Sequence, residues 1–211
     1  MDKRKQLQEI LRRLKKFYGP RPRTALEFSN PWELLVATIL SAQTTDRHVN
    51  RVTKELFKKY KRPEDYARAP LEQLQADISS INFYRNKARS IRACAQMLME
   101  RFGGQVPRSM EELTALPGVA RKTANIVLFN AYGLNEGVAV DTHVRRLAQR
   151  LGLTESDDPQ RIEQDLMAIA PRKEWGNLAH LLILLGRDIC KAKGPKHAHC
   201  VLRDICPSRD I

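Results

Sequence analysis

Apolar residues recur at helical spacing along nearly all of the 211 residues, and this periodicity limits the possible folds more than any other feature. Ile91, Ala95 and Leu98 lie three or four positions apart and predict a helix from about residue 84 to 102 with one buried face. Convincing alternation of apolar and polar residues, the sign of a half-buried strand, occurs nowhere in the sequence. We therefore predict an all-α fold of about ten helices joined by short loops.

Several helix starts are marked by capping residues. Asn30 and Asp158 each precede a proline, which combines a capping side chain with the residue best suited to the first helical position. Ser109 is followed three positions later by Glu112, the pattern of a capping box. Asp141 follows three apolar residues and precedes a helical pattern, so it too is expected to cap a helix.

The chain is strongly basic, with 37 Lys and Arg against 24 Asp and Glu and a formal charge of +13. Such an excess favours a polyanionic partner, either nucleic acid or an anionic membrane surface. Residues 1–23 alone hold nine Lys or Arg and two acids, on a predicted helix whose apolar face is Leu7, Ile10, Leu11, Leu14 and Phe17. Because that face has ordinary core spacing, we favour a solvated helix over a membrane helix.

The sequence also indicates a compartment. Its longest apolar stretch, Leu178 to Leu185, is interrupted by His180 and is far shorter than a membrane span. The N-terminus has no hydrophobic segment of the kind that a signal peptide requires. We therefore expect a reducing, intracellular setting. There, three cysteines within residues 190–206 more often bind a metal than form disulfides.

The most informative segment is 113–128, which reads LTALPGVARKTANIVL. A capped helix is expected to end at Leu116, and a second helix to begin near Ala120 after a turn that Gly118 permits. The first N–H groups of the second helix have no intrahelical partner and lie at the positive end of the helix dipole. They can hold a phosphate oxygen without reading sequence. Gly118, Ala120 and Arg121 are therefore candidate phosphate contacts, and a plain helical hairpin is the alternative.

Two residues are candidates for catalysis, one as a nucleophile and one as a carboxylate that assists it. Lys122 falls in the first turn of the second helix, where the dipole disfavours its charged form and partial burial would act the same way. A neutral amine is a nucleophile able to form a Schiff base, while a charged one would only contact phosphate. Asp141 can take protons or stabilise developing positive charge if it lies near that amine; otherwise it is only a helix cap.

The strings LPGVARKTANIVL, SAQTTD (41–46) and VAVDTHVRRLAQRLGL (138–153) resemble the endonuclease III family of DNA base-excision glycosylases nearly end to end. The resemblance implies an enzyme that removes oxidised pyrimidines from duplex DNA and cleaves the abasic site by β-elimination. It implies that Lys122 attacks the sugar C1′ and that Asp141 assists. It also implies a protein that acts in the cytoplasm on the nucleoid, as a monomer.

The same resemblance implies two all-α halves with DNA across the cleft between them. The first is expected at 24–135, a six-helix domain with the helix-hairpin-helix at about 109–132. The second is expected to combine 1–23 with 136–211 and to carry a metal-cluster loop at 190–206.

An enzyme acting on a base inside a duplex must extrude it, and something must fill the gap. By resemblance Gln43 fills the vacated space and Phe83 is an apolar wedge, although simple core packing is the alternative for Phe83. Two departures from the family pattern stand out. Ala120 replaces a second glycine, which a helix start tolerates. Asn82 and Phe83 replace glycine and an aliphatic residue, and we expect the bulkier Phe83 to change which damaged bases or which opposite bases are accepted.

The family closes with four cysteines around a [4Fe–4S] cluster, and this chain keeps the spacing with one change of ligand: Cys190, His197, Cys200 and Cys206. Imidazole can replace thiolate on cluster iron, and Cys3His is also a structural zinc set. We therefore expect a cluster with His ligation, with zinc as the second alternative and a loop without metal as the third. His199 is a competing ligand with a less suitable spacing. Cys94 is expected to be a small, inert core residue.

Further DNA contacts are expected near the cluster loop and at the VDTH string. Lys193 and Lys196, together with Lys191 and Arg203, form a basic rim around the loop that is either a DNA-backbone surface or solvated charge. His143 is a phosphate donor or a structural histidine, and we favour the structural role.

Two other functions use the same residues. An adenine-mismatch glycosylase of the same superfamily is disfavoured by Lys122, which that branch lacks. A non-catalytic helix-hairpin-helix module is disfavoured by the joint presence of Lys122 and Asp141.

Overall fold

The computed structural model describes residues 2–210, and within that range it is all-helical, as the apolar periodicity predicts. It has eleven α-helices, three short 3-10 helices and no strand in that range. In chain order the α-helices are α1 (Lys3–Tyr18), α2 (Pro31–Leu40), α3 (Asp46–Lys59), α4 (Pro63–Arg68), α5 (Leu71–Asp77), α6 (Tyr84–Phe102), α7 (Met110–Ala115), α8 (Arg121–Tyr132), α9 (Thr142–Arg150), α10 (Pro159–Ile169) and α11 (Trp175–Asp188). The 3-10 helices are Arg172–Glu174, His197–His199 and Arg203–Ile205.

The chain divides into two compact units. The continuous unit is Ala25–Leu134 and contains α2 to α8. The discontinuous unit combines the N-terminal segment up to Thr24 with the segment from Asn135 onward, and it contains α1 and α9 to α11.

Helix α2 is the centre of the continuous unit. Its sequence is apolar on nearly every side, which is typical of a helix surrounded by protein, and eight of its ten residues are buried. It packs against α3, α6 and α8. At its start the Trp32 ring meets Tyr66 of α4 edge to face, with centroids 5.2 Å apart. Helices α3, α6 and α8 are therefore all held against one central helix of this unit.

Helix α6 spans Tyr84–Phe102, the bounds that the sequence predicts. Ile91, Ala95 and Leu98 form its buried face, and Cys94 beside them is also fully buried. Burial raises the pKa of the Cys94 thiol to about 12, so this cysteine is an inert core residue, as predicted.

The predicted caps are confirmed. The Asn30 and Asp158 side chains accept hydrogen bonds from the third residue of their helices, and Ser109 does so from Glu112. Asp141 Oδ1 accepts from the backbone N–H groups of His143 and Val144, both at 2.8 Å. These local signals therefore place the starts of α2, α7, α9 and α10.

In the discontinuous unit, α11 packs against α9 and α1, and α1 also contacts α10. Leu7, Ile10 and Leu14 of α1 are fully buried, but Phe17 is 50% exposed and contradicts its predicted place on that face. The helix ends just beyond it, and the Phe17 ring instead packs edge to face on Tyr18. Arg13 forms an ion pair with Asp204 and so joins α1 to the C-terminal segment.

The length and composition of the helices bear on membrane insertion. None of the helices within residues 2–210 is long and apolar enough to cross a bilayer.

Candidate active site and metal-binding loop

The turn between α7 and α8 is closed by the backbone alone. Val119 N donates to Leu116 O at 3.1 Å, and Gly118 adopts a φ of +77°. A Cβ at Gly118 would lie 2.7 Å from Ser90 Cβ on α6, closer than real side chains approach. Only glycine therefore fits this position, both for its left-handed backbone and for the close approach of α6.

The start of α8 is open to an external acceptor. Within the described residues no side chain caps this helix, whose N-cap is the exposed Ala120. Gly118, Arg121 and Lys122 are exposed as well. The first-turn N–H groups and the positive end of the helix dipole thus lie on the protein surface, where a phosphate can reach them.

Lys122 is the second residue of α8, in the first turn as the sequence predicts. Its side chain is exposed, so the partial burial that would also have disfavoured its charge is not present. Lys122 therefore differs from other surface lysines by its position in the first turn of a helix.

Asp141 is half-buried and caps α9 through one oxygen, Oδ1. Both cap bonds use that atom, so the cap leaves Oδ2 for another partner. A single carboxylate can therefore serve as a helix cap and as a proton acceptor at the same time.

Helix α9 also holds the beginning of the C-terminal loop. Arg146 Nη2 donates to the backbone oxygens of Gly186 and Cys190 at 3.0 and 3.1 Å, and it lies 3.1 Å from His143 Nδ1. Burial lowers the pKa of His143. This packed position supports the structural role that the sequence favoured for His143. Arg150 Nη1 donates to Lys191 O at 2.8 Å and lies 3.3 Å from Cys190 Sγ.

The four predicted metal ligands line one cavity: Cys190, His197, Cys200 and Cys206. His199 is exposed and does not line that cavity, and Cys94 belongs to the other unit. Among the described residues, no three of His, Cys, Asp and Glu are arranged to hold one metal ion. Zinc needs all its ligands about 2.0–2.3 Å from one ion, whereas each ligand of a [4Fe–4S] cluster binds a separate iron. Four side chains around one shared cavity suit a cluster in which each iron has one protein ligand.

The orientation of His197 fits a ligand. Its Nδ1 lies 2.9 Å from Arg209 O. Because a carbonyl oxygen can only accept, Nδ1 carries a proton, and Nε2 is the nitrogen left to bind a metal as neutral imidazole. This is the hydrogen-bonding pattern that fixes the tautomer of metal-binding histidines.

Gln43 and Phe83 share an unusual backbone conformation. They are the only non-glycine residues with positive φ among the described ones, at 54° and 59°. Phe83 is 61% exposed, which contradicts the core-packing alternative. Asn82 Nδ2 donates to Gln43 O at 2.6 Å, so the loops that carry the two predicted DNA-inserting residues are in direct contact.

Lys87, which contacts the loop of Gln43, was not identified from the sequence. It is buried in α6, and its Nζ donates to Leu40 O at 2.8 Å and Ala42 O at 2.6 Å. Burial lowers the pKa of Lys87 to about 8. The signal was present, because Lys87 lies four positions before Ile91 on the apolar face of the predicted helix.

Comparison with known proteins places this geometry among DNA repair enzymes. Residues 36–172 match the family model described as HhH-GPD superfamily base excision DNA repair protein. The chain is 48% identical over 206 residues to endonuclease III of Synechocystis sp., covering 98% of this chain and 94% of that protein. It is 51% identical over 188 residues to endonuclease III of Bacillus subtilis, covering 89% and 85%.

Solved structures agree. A trapped endonuclease III–DNA covalent intermediate superimposes with a TM-score of 0.93 at 45% identity, covering 99% of this chain and 98% of that one. A non-covalent endonuclease III–DNA complex gives a TM-score of 0.92 at 45% identity, covering 99% and 97%. A thermostable thymine-DNA glycosylase, at 23% identity and a TM-score of 0.87, shares the fold.

Proposed function

Because the chain belongs to the HhH-GPD superfamily of base excision DNA repair proteins, and within it to the endonuclease III family, we propose that Lys122 and Asp141 carry out its chemistry. The protein is a base excision repair enzyme, a DNA glycosylase and abasic-site lyase. The observation that carries the residue assignment is the exposed lysine in the first turn of α8, directly after the Gly118 turn.

The reaction follows from a lysine nucleophile. Lys122 Nζ attacks the sugar C1′ of an oxidised pyrimidine nucleotide, and the base leaves with the electrons of the glycosidic bond and a proton. The C1′–O4′ bond then breaks, the remaining amine proton passes to O4′, and a Schiff base forms between C1′ and Nζ. Removal of a C2′ proton then expels the 3′ phosphate oxygen by β-elimination, and water releases the enzyme. Asp141 Oδ2 accepts protons or stabilises the positive charge at C1′.

Double-stranded DNA is the proposed substrate, bound by a monomer. Phosphates are held by the first turn of α8, including Gly118, Ala120 and Arg121, and by the exposed Lys193 and Lys196. Gln43 and Phe83 occupy the space that the extruded base leaves. Support comes from the net charge of +13 and from the exposure of these residues.

The C-terminal loop is proposed to hold a [4Fe–4S] cluster through Cys190, His197 Nε2, Cys200 and Cys206. The shared cavity and the Arg209 carbonyl that orients His197 support this set. When bound, the cluster supplies a covalent crosslink to a loop whose own regular structure is two 3-10 helices. The ligands thereby order the surface that carries Lys193 and Lys196.

Borohydride trapping on abasic-site DNA tests the nucleophile. Lys122→Gln should form no covalent adduct and excise no base, yet still bind abasic-site DNA, because the amine is removed while the helix start is kept. Arg121→Gln is the matched control, since it removes one positive charge from the neighbouring position and leaves Lys122 intact. It should still trap at saturating enzyme. An adduct with Lys122→Gln would show that another amine is the nucleophile.

A further inference from the structure

Gln43 and Phe83 are held in a conformation that their side chains disfavour. A residue with a Cβ rarely adopts positive φ, and a bulky one such as Phe does so only when surrounding contacts enforce it. Both residues are exposed, so burial of their own side chains does not enforce it. Other groups must hold these two loops in place.

The loop of Gln43 is held by donors from one short segment, residues 82–87. Lys87 Nζ donates to the backbone oxygens of Leu40 and Ala42, and Asn82 Nδ2 donates to that of Gln43. The peptide groups on both sides of Gln43 are therefore oriented by side chains. Lys87 is buried, so its bonds to these oxygens are formed away from solvent and are strong.

The loop of Phe83 is part of the same framework. Phe83 is the N-cap of α6, and its carbonyl accepts from Lys87 N at 3.1 Å, in the first turn of the helix. Just before it, Ser80 O lies 3.0 Å from His48 Nε2 of α3. The helix that fixes Phe83 is thus the helix whose Lys87 fixes the Gln43 loop. The backbone positions of Gln43 and Phe83 are thereby set relative to each other.

We propose that Asn82 and Lys87 are positioning residues that hold Gln43 and Phe83 ready to replace an extruded base. This rests on the proposed function, in which these two side chains enter the vacated space. Preformed loops avoid the cost of ordering at the moment when stacking and pairing are lost. The framework therefore matters most for excision of a stacked, paired base. It matters least for cleavage of a site that has already lost its base.

Asn82→Asp tests the proposal with little change of shape. The side chain is exposed, so the variant should fold, but it exchanges an N–H donor for a carboxylate oxygen that repels Gln43 O. We expect single-turnover excision of an oxidised pyrimidine to fall about tenfold or more, since small misplacements of positioning groups are costly. Cleavage of a preformed abasic site should change less than about twofold in the same preparation.

Asn50→Asp is the matched control. Asn50 Nδ2 donates to Ala25 O at 2.8 Å, so the substitution breaks the same type of bond, from a side-chain amide to a backbone carbonyl, elsewhere in the continuous unit. It should leave the ratio of excision to abasic-site cleavage unchanged.

A second measurement uses 2-aminopurine opposite the lesion, whose fluorescence reports the disturbed stack. Asn82→Asp should reduce the fluorescence change on binding, and Asn50→Asp should not.

A Gln43→Ala/Phe83→Ala background separates the positioning role from the proposed function. In that background Asn82→Asp should have almost no further effect on excision, because nothing remains to be positioned. Equal loss of excision and abasic-site cleavage in Asn82→Asp, or full additivity in this background, would overturn the proposal. If Gln43→Ala/Phe83→Ala by itself leaves excision unchanged, these two side chains do not fill the space of the extruded base, and the positioning proposal loses its premise. If wild-type protein neither excises nor traps, the proposed function itself fails.

Discussion

The hairpin of α7 and α8 and the C-terminal loop at 190–206 are both proposed to contact DNA phosphates, yet they are built in opposite ways. The hairpin is shaped by backbone bonds, a Ser109 cap and a glycine that fits closely against α6. The loop has two 3-10 helices and is held by arginine side chains of α9, while its thiols line a cavity. A surface made from backbone geometry needs no cofactor, whereas the loop is proposed to depend on a cluster bound by its ligands.

Loss of the cluster should affect the two regions most unequally. Anaerobically purified protein should contain about four irons and four sulfides per chain. His197→Ala should lose much of that iron, and hydrogen exchange should then rise across 190–206 but not across the hairpin, because only the loop is crosslinked by the metal. His199→Ala, next to the same 3-10 helix, should keep its iron. One zinc without sulfide, or full iron in His197→Ala, would contradict the ligand assignment.

Asp141→Asn should separate chemistry from capping at the helix that holds the loop. Asparagine caps as well as aspartate, so the unfolding temperature should change little, while the excision rate should fall about a hundredfold or more with loss of the charge. Asp158→Asn is the control, because Asp158 caps α10 through a 2.8 Å bond to Arg161 N. It should leave the rate unchanged. If Asp141→Asn lowered the unfolding temperature but left the excision rate unchanged, Asp141 would be only a helix cap.

Gly118→Ala should damage the hairpin while leaving the loop intact. The new Cβ meets Ser90 on α6 at a position where φ is already +77°, so we expect about 1–3 kcal/mol of destabilisation and weaker DNA binding. Gly133→Ala is the control, since φ there is +69° but no atom lies within 4 Å of an added Cβ. Chemical denaturation of both variants isolates the contact with α6. Equal losses would mean that backbone strain alone sets the requirement for glycine.

Mild acid should weaken the discontinuous unit by a small amount. Burial, with Arg187 acting in the same direction, lowers the pKa of His180 in α11 from 6.5 to about 4. Between these values the unfolded chain binds a proton that the folded chain does not, so stability falls as pH drops through this window. The loss between pH 7 and 5.5 should be about 1 kcal/mol. Hydrogen exchange in α11 measures it, and in His180→Gln the pH effect should shrink.

The accuracy of the sequence predictions follows the range of the interactions involved. The hairpin, the caps and the α6 bounds depend on residues a few positions apart, such as Ser109 with Glu112, and those were predicted correctly. The Asn82–Lys87 framework joins segments about 40 residues apart, and no local pattern encodes that pairing. Exposure was also misjudged where a helix ends: Phe17 has the spacing of a core residue but too little helix beyond it to be covered.

The division of the chain has a consequence for synthesis on the ribosome. Chains emerge N-terminus first, and domains fold as units once they are complete. Helix α1 is translated before the continuous unit but packs against α10 and α11, so its partners appear only after that whole unit has been translated. Until then its apolar stripe of Leu7, Ile10, Leu11 and Leu14 has no cover. We expect the nine Lys and Arg of residues 1–23 to keep nascent chains apart at that stage, because like charges repel.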